Sequence, residues 1–259
     1  MNDVAFFTIA LIPVVASVIR SCRLFLRTRR NQHVKMRRRV GERQTRGQVR
    51  AFLGRQLLAV CVIAVLILSL TPNGGGLHDL GFQAACNVPL AFIAGLAVYC
   101  LYAELLFAIP AKRKSNELGR LEAWFATVRC FIPRDRRTRW LNMVTVGFLN
   151  PVTEEILFRG VFVYYLAART GSLWIALPVG LCLCLATHLY QGLRTLPHHA
   201  AFFLLSTAIL YSPLGLIGAI GCHFGGDVMP FLKLRSAMRS LGLLRRERQL
   251  LALVAKEAS

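Results

Sequence analysis

Apolar residues in this chain come in long runs separated by polar blocks, and no stretch alternates with the period of two that a half-buried strand requires. Seven runs approach or exceed the ~20 residues that carry a helix across a hydrocarbon layer. They are Val4 to Ile19, Ala51 to Leu70, Cys86 to Ile109, Trp140 to Ala168, Leu173 to Tyr190, Pro197 to Leu210 and Ser212 to Leu232. Each is predicted helical, because hydrocarbon offers backbone N–H and C=O groups no partner outside the helix. The pattern therefore predicts an all-α, polytopic transmembrane helical bundle of about seven spans. Two further segments, Asn116 to Pro133 and the tail after Leu232, space leucines and other apolar residues at helical period among Arg and Glu, as helices lying on the membrane surface do. Thr71 to Gly81, TPNGGGLHDLG, reads as an exposed loop.

Charge sharpens this picture. The chain has 259 residues, is 55% hydrophobic and still carries a formal charge of +20, so its cations must be concentrated between the runs. Residues Arg20 to Arg50 alone hold twelve Lys or Arg. A basic block standing alone would point to nucleic acid. Placed between two spans, it is instead a cytoplasmic loop set against anionic lipid headgroups, and no nucleic-acid partner is expected. With seven crossings, 29 of the 32 Lys and Arg fall on one side in the loops and tail, and Arg169 stands alone on the other. That segregation predicts an integral membrane protein with its N-terminus outside and its C-terminus in the cytoplasm. Arginine outnumbers lysine 27 to 5, which fits a GC-rich bacterial genome and hence a bacterial cytoplasmic membrane. Three regions follow: N-terminal spans with basic loops at 1–139, a core at 140–232, and a basic amphipathic tail at 233–259. Eight cysteines, most of them within apolar runs and without a CxxC pair, read as free thiols.

Four of only twelve acids, Glu104, Glu154, Glu155 and Asp227, lie in apolar runs, as do His188 and His223. An ionisable group inside the bilayer costs several kcal/mol unless paired or facing water, so each is a candidate functional residue. At 1.5 Å per helical residue, Glu154, His188, His223 and Asp227 all fall about 16 to 23 Å from the outer end of their spans. Glu155 and Arg159, four apart, share a helix face and form an ion pair, which leaves Glu154, about 100° away, free for another neighbour. His223 and Asp227 are likewise four apart. Glu104, near an inner span end, is expected to reach the interface. Pro151 removes a backbone donor three residues before Glu154 and can open the helix to water. A carboxylate beside an imidazole can polarise water for attack on a peptide carbonyl, and a second imidazole with a polar neighbour can stabilise the oxyanion. The same Glu154, His188 and His223 are alternatively zinc ligands. No GxSxG nucleophile is present.

The ordered stretches EEILFRG at Glu154 to Gly160, HLYQG at His188 to Gly192 and HFGGD at His223 to Asp227 resemble the three motifs of the CAAX-protease and bacteriocin-processing (CPBP, or Abi) family of intramembrane proteases. The resemblance covers about Trp140 to Asp227. It implies an intramembrane endopeptidase (a hydrolase) acting on a membrane-associated or lipidated peptide without a cofactor. By the resemblance Glu154 is the catalytic base, His188 its partner on the water, and His223 with Asp227 the oxyanion stabilisers, while Glu155 and Arg159 support them. Cys184 stands where the family's second motif has Phe, which leaves less ring surface to shape the pocket. Two other readings compete: a non-catalytic immunity or scaffold protein of the same fold, and a small transporter relaying protons through buried acids. The transporter reading predicts inverted repeats, and the two halves of the chain do not match.

Overall fold

The computed structural model describes residues 2–30, 42–70, 76–82, 87–108 and 136–240. The expected surface helix at Asn116 to Pro133, the side chain of Glu104 and the tail beyond Ser240 lie outside what is described. Seven helices follow one another with no strand among the described residues: α1 (Asp3–Arg30), α2 (Glu42–Leu70), α3 (Val88–Ala108), α4 (136–170), α5 (Leu173–His188), α6 (Leu196–Leu210) and α7 (Gly215–Ser240). They correspond one to one with the seven apolar runs, but α1, α2 and α7 extend into the basic blocks. Arg, Gln and Leu are good helix formers, so the helix does not stop where the hydrocarbon does. Three stretches, Asp3–Leu26, Arg50–Leu70 and Leu173–Gln191, are long and apolar enough to cross a membrane, and Val88–Ala103 and Leu196–Leu210 are shorter apolar helices. Large apolar side chains such as Leu68, Leu90, Ile93, Leu101 and Trp174 point outward, as side chains that face lipid do.

Helix α4 is the centre of the bundle. Every side chain from Glu155 to Val163 is buried, and a helix buried on all faces must be surrounded by others. It packs against α5, α6 and α7, while α1 and α2 close the remaining side. The apolar core joins Phe6 and Val14 of α1, Leu66 of α2, Val161 and Val163 of α4, Phe203 of α6 and Leu216 of α7. The turn at His78–Leu80 departs from expectation. Leu80 is fully buried against α4, and the Gly81 carbonyl accepts the Leu216 N–H at the start of α7. A glycine-rich neighbourhood had concealed a plug.

Two further features of the backbone set up the site. Helix α4 widens twice into π-turns, at Met143–Leu149 and Glu155–Tyr165, on either side of Asn150–Glu154. In an ordinary helix the Pro151 ring would press on the carbonyl four residues earlier; the wider turn before it relieves that contact. Helices α3 and α7 approach to backbone contact: a Cβ at Gly95 would land on the Gly218 carbonyl oxygen, and one at Gly221 on that of Phe92. Small residues permit such closeness between apolar helices, where dispersion replaces the hydrophobic drive.

Candidate active site

Three helices bring the ionisable residues together. Glu154 and Glu155 sit where the α-helical turn of α4 passes into its second π-turn, His188 ends α5, and His223 and Asp227 share one face of α7. The end of α5 is fixed by α1, because the Tyr190 N–H donates to Ser21 Oγ at 2.8 Å, with Ser21 1% exposed. His188 Nε2 lies 3.9 Å from Glu154 Oε2, and His223 Nε2 lies 3.8 Å from the same oxygen. His223 Nε2 is also 3.8 Å from Asp227 Oδ2. The expected sharing of one level by four residues from distant parts of the chain is thus realised as contact. Glu155 and Arg159 form the expected pair, Nη1 to Oε1 at 3.0 Å, with exposures of 1% and 0%, and the Arg159 guanidinium stacks on the Phe203 ring at 4.3 Å.

Each imidazole is fixed by what its other nitrogen meets. His188 Nδ1 lies 2.9 Å from the Cys184 carbonyl oxygen. A carbonyl only accepts, so Nδ1 holds the proton and Nε2 of the neutral ring offers a lone pair. His223 Nδ1 lies 2.7 Å from Glu155 Oε1, which also accepts from Arg159, so this Nδ1 donates as well. Both Nε2 atoms therefore turn toward Glu154 Oε2, a buried oxygen with no hydrogen-bond partner of its own. His188 Nε2 and Glu154 Oε2, two acceptors 3.9 Å apart, need a proton donor between them. Two groups each about 2.8 Å from one water and at the tetrahedral angle stand about 4.6 Å apart. Two ligands of a tetrahedral zinc stand about 3.3 Å apart. The observed 3.8 and 3.9 Å lie between the two values, about as far from one as from the other. Among the described residues no three His, Cys, Asp or Glu side chains are disposed to share a metal ion.

Sequence reasoning missed several partners. Glu155 is more than the counter-ion of Arg159, because it also orients His223. Asn150 Nδ2 donates to Asp227 Oδ2 at 3.2 Å, Gln56 Nε2 to Asn150 Oδ1 at 2.8 Å, and Thr153 Oγ1 to Gln56 Oε1 at 2.5 Å. The available signal was a lone amide, Gln56, in an apolar run. Cys184 leaves its mark through its carbonyl and a sulfur 4.0 Å from His188 Nδ1. His199, expected at an inner loop edge where it could border the site, packs its ring 4.3 Å from that of His188 and meets Gln191 Oε1 at 3.1 Å. Tyr190, also near the site, accepts from Gln191 Nε2 at 3.0 Å.

Comparison with known proteins adds a family. Residues 136–229 match the model of the family described as Type II CAAX prenyl endopeptidase Rce1-like, the CAAX-protease group that the three motifs resemble, and the match spans α4 through most of α7. No curated protein and no solved structure matches the chain.

Proposed function

We propose that this membrane protein, whose residues 136–229 form an Rce1-like domain, is an intramembrane endopeptidase that hydrolyses a peptide bond in a membrane-associated or lipidated peptide with a water activated by Glu154 and His188. One observation carries the reading. Glu154 Oε2, buried and without a hydrogen-bond partner, faces the Nε2 atoms of two imidazoles whose Nδ1 protons are already committed, each just beyond direct hydrogen-bonding distance. Glu154 takes the proton from that water, His188 Nε2 holds it in line, and the oxygen adds to the scissile carbonyl. His223 is the ring flanked by acids, Glu155 on Nδ1 and Asp227 near Nε2. It is therefore the one suited to carry a proton and meet the developing oxyanion. Glu154 then returns its proton to the departing amine, so that the amine and the new carboxyl leave with the atoms of one water.

The lysine and arginine distribution supports an N-terminus outside and a C-terminus in the cytoplasm of a bacterial membrane, with cleavage near the inner face. The decisive experiment compares membrane peptides in cells carrying the wild-type protein and Glu154→Gln. Peptides that are cut only by the wild type support the reading. Equal turnover by a membrane-inserted Glu154→Gln protein overturns it and leaves the non-catalytic scaffold.

A further inference from the structure

We infer that Gln56, on a helix outside residues 136–229, is a positioning residue for the catalytic centre, acting through Asn150 on Asp227; this rests on the proteolytic reading of the site. Gln56 is 7% exposed within the apolar half of α2. A buried primary amide carries two donors and an acceptor, and leaving them unmet costs about 1–3 kcal/mol each, so such a residue persists in an apolar run only with fixed partners. Its partners form a chain with one direction. The Thr153 hydroxyl donates to Gln56 Oε1, Gln56 Nε2 donates to Asn150 Oδ1, and Asn150 Nδ2 donates to Asp227 Oδ2.

The direction matters more than the number of bonds. The Asp227 carboxylate only accepts and so draws the Asn150 NH₂, and the Asn150 oxygen that this turns away is anchored by Gln56 Nε2 at 2.8 Å. Without Gln56, that oxygen has lost its donor and the Asn150 side chain its anchor, so its NH₂ is free to swing away from Asp227. The donor that holds Asp227 3.8 Å from His223 Nε2 is then lost. Gln56 thus braces the donor to Asp227, an acid that flanks the ring meant to stabilise the oxyanion. Helix α2 contacts the Asn150–Glu154 turn directly, so the N-terminal half of the chain completes a centre whose motifs all lie in the C-terminal half.

The test replaces Gln56 by Met, which keeps the volume and removes all three polar functions, with Ile63→Val on the same helix as a packing control. Two readouts are taken on the purified full-length protein. One is cleavage of a peptide found in the Glu154→Gln comparison, and the other is the pH titration of the His223 ring protons by NMR with labelled histidine, which needs no substrate. Gln56→Met is expected to lower kcat about tenfold at unchanged KM, the loss of one hydrogen bond to a charged acceptor, and to displace the His223 titration. Ile63→Val is expected to leave both as in the wild type. If the wild type cleaves and Gln56→Met changes neither kcat nor the titration, the inference is wrong and the protease stands. If the wild type cleaves nothing but the titration still moves in Gln56→Met, the protease reading falls and the coupling of Gln56 to the His223 pair is upheld.

Discussion

Replacing Arg159 by Met would leave the carboxylate of Glu155 inside the protein with one partner where it had two. Arg159 and Glu155 are 1% and 0% exposed and 3.0 Å apart, so solvent cannot take over the role of the missing cation. Breaking such a buried pair typically costs about 3–5 kcal/mol. Here His223 Nδ1 still donates to Glu155 Oε1 at 2.7 Å, which puts the expectation near the lower end, about 3 kcal/mol. For a chain of this size that corresponds to a fall in Tm of about 6 to 12 °C. Thermal unfolding in detergent can be followed with a thiol-reactive dye, since Cys184 and Cys222 are buried and free. The double variant Arg159→Met with Glu155→Leu removes the stranded charge and should recover most of that loss, because apolar replacement of a whole buried pair is close to neutral. It should nonetheless stay inactive, since His223 then has no acceptor for its Nδ1 proton. A double variant as unstable as the single one would refute the argument from the buried charge. One that is stable and cleaves at the wild-type rate would refute the role of Glu155 in orienting His223.

Two other outcomes follow from the geometry. Gly221→Val should separate α3 from α7 and abolish both folding to a monodisperse species and cleavage, because its side chain must enter the space of the Phe92 carbonyl; size-exclusion chromatography of the detergent-solubilised variant checks this. Treatment with EDTA followed by metal analysis should leave cleavage unchanged, and activity lost to EDTA and regained with zinc would replace the water scheme by a zinc centre held by Glu154, His188 and His223.

Helices were legible in the sequence wherever a long apolar run met the demand that hydrocarbon places on the backbone, and the same demand made each buried acid conspicuous. Pairing within one helix was legible too, since Glu155 and Arg159 are one turn apart and need no knowledge of the fold. What crosses between helices was not. The bond from Glu155 to His223 joins residues 68 apart in sequence, and nothing in the spacing of either motif distinguishes it from a contact with Glu154. The π-turns of α4 have no hydropathic signature, because one more residue per turn leaves the composition unaltered. Leu80 was misread for a different reason: the glycines and aspartate around it describe the shape of a turn, and turn shape does not say which side chain is pressed inward. Gln56 lies next to Arg55 near one end of its run, and the apolar pattern of that run does not show that the amide is the buried one of the two.

The meeting of α3 and α7 at Gly95, Gly218 and Gly221 has a mechanical consequence. Contacts made through long side chains can slide, since rotamers absorb a fraction of an ångström, whereas peptide groups resting on one another have no such slack. Rotation of α7 about its axis would drive one backbone into the other, so the ring and the acid it carries are held like jaws in a clamp.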